Sequence, residues 1–136
     1  MKKTLLASLA AFGFAFAAGC NKSPEGGIPG SEAAFVIVPP TISTTIKPGQ
    51  SETVKVDVNR KDAFNEAVTL TAKEVPQGLK VEESTKKADP GVKQVSFIVT
   101  AEPNAQPGSY VIKLHAKPEK TGKETLADVK VDVPKN

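Results

Sequence analysis

The chain has 136 residues, of which 24% are charged, with a formal net charge of +3. Without Lys2 and Lys3, sixteen basic residues face fifteen acidic ones, interspersed along the chain. A nucleic-acid partner needs clustered excess charge, and stacking platforms need aromatics. Here there is no Trp and a single Tyr, so no nucleic acid is expected as a partner. The length suits one domain of ordinary size.

The N-terminus has three parts: positive Lys2 and Lys3, an uncharged apolar run from Leu5 to Ala18, and the small residues Ala17-Ala18-Gly19. These are the parts of an export signal. The run is shorter than the roughly 20 apolar residues of a membrane span. Cys20, the only cysteine, stands where cleavage is expected and cannot form an internal disulfide. "AAGC" resembles the lipobox of bacterial lipoproteins. That resemblance implies a signal peptide over 1–19, diacylglycerol (and palmitate-type acyl chains) on the Cys20 thiol, and a mature chain beginning there. Ala17 stands where the family more often has Leu, and the alternative is ordinary cleavage near Ala17 or Ala18. Two or three acyl chains, at about 0.8 kcal/mol per buried CH₂, would hold the protein on a membrane. The family's sorting rule and Asn21 favour the outer over the inner membrane, at its periplasmic or cell-surface face.

Residues 20–32 follow as lipidated N-terminus and flexible linker. "NKSPEGGIPGSE" is rich in Gly, Pro and Ser and has no periodicity. It reads as a spacer or as an unstructured terminus. From residue 33 to 136 the pattern has period two. "VKVDV" occurs at Val54–Val58 and again at Val129–Val133, with valines on one face and Lys and Asp on the other. Seven strands are predicted: a first one over 34–46 broken by Pro39-Pro40, then 52–59, 67–73, 79–83, 93–101, 109–116 and 126–133. The turn-forming segments between them are "KPGQ", "RKDAFNE", "VPQG", "STKKADPG", "EPNAQPG" and "PEKTGKE". The fold class is all-β, a single seven-stranded antiparallel β-sandwich. Its core faces are Val54, Val56 and Val58; Val68 and Leu70; Leu79 and Val81; Val95, Phe97 and Val99; Tyr110, Ile112 and Leu114; and Val129, Val131 and Val133. Pro39-Pro40 suits an edge strand, where a missing N–H is tolerated. Tyr110 begins its strand after "PNAQPG", the place of a tyrosine corner; the alternative is a ligand-binding Tyr.

Phe64 to Leu70, Val75 to Glu82 and Ala105 to Leu114 resemble the immunoglobulin-like modules, related to fibronectin type III, of bacterial extracytoplasmic proteins. The resemblance runs over 41–133, with Asn65-Glu66-Ala67 where many members have Gly. It implies an inward Phe, a Pro-Gly turn and a corner Tyr, hence a structural or binding module with no catalytic residues.

His115, the only His, lies on the outward alternation with Val111 and Lys113. A metal site needs further His or Cys ligands or clustered carboxylates, so no metal or cofactor is expected. No nucleophile elbow accompanies the Ser, His and Asp residues, and no enzyme activity is expected. The segments "NRKDAFNE", "STKKADPG" and "KPEKTGKE" read as solvated loops or, on a rigid frame, as a recognition surface. The expected role is non-catalytic, structural or protein-binding, in the cell envelope. The alternatives are a carbohydrate-binding module or an accessory subunit of an envelope enzyme.

Overall fold

The computed structural model describes residues 22–135. The 1–19 segment, Cys20 and Asn21 lie outside the described residues. Every regular element among the described residues is a strand: β1 (Gly26–Gly27), β2 (Ala34–Val38), β3 (Thr44–Thr45), β4 (Ser51–Arg60), β5 (Val68–Glu74), β6 (Leu79–Glu82), β7 (Thr85–Ala88), β8 (Gln94–Ala101), β9 (Gly108–Pro118) and β10 (Thr125–Val133). One sheet has the order β1-β2-β4-β8-β6, the other β3-β10-β9-β5-β7.

The all-β class and the alternation hold. Val54 faces Phe97 and Val56 faces Val95 across β4 and β8, and Val129 faces Ile112 across β10 and β9. These residues are buried in one apolar cluster drawn from both sheets. Burying each valine contributes about 1.5–3 kcal/mol relative to leaving it in water. Of the residues read as core, only Val81 and Tyr110 are partly buried, and both pack against the cluster. Phe64 is buried, as the family resemblance implied, with its ring 4.8 Å from that of Phe35.

Four expectations are corrected. There are ten strands where seven were predicted. Thr85–Ala88, placed within the turn-forming segment "STKKADPG", forms an edge strand with Val68 opposite a fully buried Ala88. Lysine is a frequent occupant of edge strands because it discourages further pairing. The predicted first strand is two: β2 belongs to one sheet and β3 to the other, and Pro39-Pro40 lie where the chain changes sheet. Nor is the pairing wholly antiparallel, since β3 runs parallel to β10. On the opposite side the chain crosses between the β6 and β7 edges through Glu83, whose φ of 49° is in the left-handed region.

The fourth correction concerns the linker. From Lys22 onward it is a strap fastened to the domain. Ser23 is 5% exposed, its N–H donates to the Ile37 carbonyl (2.8 Å), and its Oγ accepts from the Ile37 N–H (2.9 Å). Thr125 Oγ1 donates to the Pro24 carbonyl (2.7 Å), and Gly27 and Lys123 exchange two backbone bonds of 2.8 Å. Gly26 and Gly122 stand at points of close approach. A Cβ on Gly26 would stand 2.6 Å from the Phe35 ring, and one on Gly122 would stand 1.9 Å from the Gly27 carbonyl oxygen.

Candidate functional site

The three charged segments read as loops or a recognition surface converge at one end of the strands. The β4–β5 connection, the β7–β8 connection and the β9–β10 connection meet there, joined by two side chains. Arg60 closes β4 and donates from Nε to the Glu66 carbonyl (3.1 Å), from Nη1 to the Val92 carbonyl (2.5 Å), and from Nη2 to the carbonyls of Ala88 (2.8 Å) and Asp89 (3.1 Å). A guanidinium is a planar fork of five donors, which an ammonium cannot imitate. Burial draws the Arg60 pKa down, and the nearby Asp89 charge opposes that. Glu66 ties in the third connection, its Oε1 accepting from the backbone N–H groups of Lys120 (2.7 Å) and Thr121 (2.9 Å). Burial pushes the Glu66 carboxyl up, but the Thr121 side chain and these amides outweigh it and hold the pKa below the ordinary value.

Above this lattice lies an open groove of about 550 Å³ whose lining includes Asn59, Lys61, Asp62, Asn65 and Lys93. Lys61 pairs with Glu25 of the strap at 2.8 Å. Their hydrogen bond is the main cause that lowers the Glu25 pKa and raises that of Lys61. The groove offers amides, amines and a carboxylate of mixed sign on a backbone held in place. That arrangement suits recognition of a mixed-charge polar surface.

The individually named residues are distributed elsewhere. Tyr110 is a corner residue: its OH donates to the Gln106 carbonyl, four residues upstream, at 2.5 Å. His115 is on the outward face of β9 as expected, yet its side chain is only 21% exposed, with Nδ1 3.1 Å from Glu124 Oε1. That hydrogen bond is the first cause holding the Glu124 carboxyl below its ordinary pKa. Thr69, Thr71, Lys73 and Lys117 line a shallow groove of about 250 Å³ with this pair. Among the described residues no three His, Cys, Asp or Glu side chains are grouped so as to hold a metal ion. Arg60 was passed over in the sequence as one charge within a solvated loop. It is the single Arg beside seventeen Lys. Solubility alone would be served by lysine, so the exception was the available signal.

No protein-family model matches this sequence, and no curated protein does. Solved structures give three similarities. A protein of unknown function from Porphyromonas gingivalis W83 is 17% identical, with 68% of this chain and 44% of that chain covered and a TM-score of 0.48. Domains 4 and 5 of the S-layer protein SbsC are 18% identical, with 73% and 51% covered and a TM-score of 0.41. The ASH / PapD-like domain 7 of human CEP192 is 8% identical, with 98% and 99% covered and a TM-score of 0.41. The chain thus spans less than half of the first of these proteins and about half of the second.

Proposed function

We propose that this chain is a bacterial envelope lipoprotein, acylated on Cys20, whose domain is an immunoglobulin-like sandwich with a non-catalytic role in binding or scaffolding. One observation carries the reading: the lone cysteine stands directly behind the small-residue end of an uncharged apolar run. Its support is the character of the rest of the molecule. Arg60 and Glu66 are committed to backbone groups, and His115 to Glu124. The polar end around Asn59, Asp62 and Lys93 is the surface through which an envelope protein would be bound, loops on a rigid frame being the usual place for recognition. Acylation on Cys20 followed by Asn21 directs the protein to the outer membrane.

The test is Cys20→Ser in cells fed labelled palmitate. The wild-type protein should carry label and sediment with membranes, and the variant should carry none and be found in the soluble fraction. An unlabelled wild-type protein, or a variant that stays membrane-bound, would sink the proposal.

A further inference from the structure

Resting on that lipid anchor, we infer that the domain lies side-on against the bilayer, with the edge formed by Lys22 and the 39–43 connection, above all Ile42, seated in the interface. The anchor has no spacer. The fastened strap begins at Lys22, and the two residues from Cys20 to Lys22 reach at most about 7 Å. The acyl chains are therefore joined to a set point on the domain surface, the strap edge beside β2 and β10.

The register shows what stands at that point. The strap runs antiparallel to β10, with Gly27 bridged to Lys123 and Pro24 bonded to Thr125. From the other direction β3 runs parallel to β10, with Thr44 opposite Val131. Thr125 and Val131 are six residues, or about 20 Å, apart along β10. Ser23, next to Lys22, is bonded to Ile37 near the end of β2, and the five residues from Ile37 to Ile42 span at most about 18 Å, so Ile42 is within reach of the acylated end. Ile42 is 80% exposed, more than any other large apolar side chain among the described residues. It belongs to "AAFVIVPPTISTTI", fourteen residues without a charge in a chain that is 24% charged. An uncharged connection bearing an exposed isoleucine beside the anchor point fits the headgroup–acyl boundary, where apolar side chains are buried. Lys22 is exposed, its charge acting on the nearby Glu25 carboxylate, and a lysine near an anionic leaflet favours attachment by about fivefold.

The acylated mature protein should be reconstituted into vesicles of phosphatidylethanolamine and phosphatidylglycerol with brominated acyl chains. Thr41→Cys and Glu82→Cys variants carry a small environment-sensitive fluorophore; the Cys20 sulfur is already consumed as a thioether. Thr41 adjoins Ile42, whereas Glu82 lies on β6, the opposite edge of its sheet. The Thr41 label should shift to the blue and lose most of its emission, and the Glu82 label should change in neither respect. Adding Ile42→Asp, at a side chain too exposed to matter for folding, should restore the emission of the Thr41 label. If both labels respond alike while the protein floats with the vesicles, the anchor stands and the side-on seat is wrong. Quenching that survives Ile42→Asp also overturns the seat. Failure of the protein with Cys20 intact to float removes the anchor and the seat together.

Discussion

Gly122→Ala should unfasten the strap. Gly122 has φ of +83°, and an added Cβ would lie 1.9 Å from the Gly27 oxygen and 2.3 Å from its carbon. Both are backbone atoms, so no side chain can rotate away. The left-handed conformation alone costs an L-residue about 1–2 kcal/mol. Separating the strands also breaks the reciprocal Gly27–Lys123 pair, each bond of which contributes about 0.5–1.5 kcal/mol. The total is about 2–5 kcal/mol, equivalent to a fall in Tm of about 10–20 °C for a domain of this size. Gly49→Ala is the control, because Gly49 has a similar φ of +82° and nothing within 4 Å of its built Cβ. It should cost only the conformational part, about 1–2 kcal/mol. Thermal unfolding followed by circular dichroism gives both numbers, and amide exchange at Gly27 and Lys123 locates the damage. Equal Tm losses in the two variants, or unchanged protection at Gly27 in Gly122→Ala, would refute the close approach of strap and turn.

Three further outcomes are expected. Arg60→Ala removes four bonds to main-chain carbonyls and should destabilise the domain by about 2–4 kcal/mol; Arg60→Lys should recover only a minor part, read as urea midpoints at constant m. Tyr110→Phe deletes the bond to Gln106 and should cost about 1 kcal/mol in the same titration, with no change in the far-ultraviolet spectrum. Glu66 is held below its ordinary pKa in the folded protein, so its contribution is complete above the unfolded value and is lost as pH falls through the folded one. Stability measured from neutral pH into acid should therefore fall less steeply below about pH 4.5 in Glu66→Gln than in the wild type; parallel curves would show that the amides of Lys120 and Thr121 do not hold the carboxylate.

What was legible in the chain was whatever depends on near neighbours. Valines at 54, 56 and 58 and at 129, 131 and 133 declare one buried face because side chains alternate across a strand. Pro-Gly turns bound the strands, and Tyr110 after its turn declares a corner bond, since donor and acceptor are four residues apart. What lay hidden depends on partners distant in sequence. Gly26-Gly27 looks like slack chain, and only the Phe35 ring beside Gly26 and the Ala33 carbonyl oxygen beside Gly27 show that a side chain would not fit. Thr85–Ala88 looks like a charged loop until Val68 to Thr71 come alongside. Arg60 is one more cation until β7 and the next connection bring the Ala88, Asp89 and Val92 carbonyls to its guanidinium. The sequence by itself determined the all-β class and the inward faces, because period and turn chemistry are local, and the proposal for Cys20 likewise rests on a local motif. The tertiary structure alone decided that the apparent linker is a strap, that the first strand divides between two sheets and that three charged segments share one end. Those follow from which backbone groups and side chains meet across the fold, and long-range pairing leaves no local period in the chain.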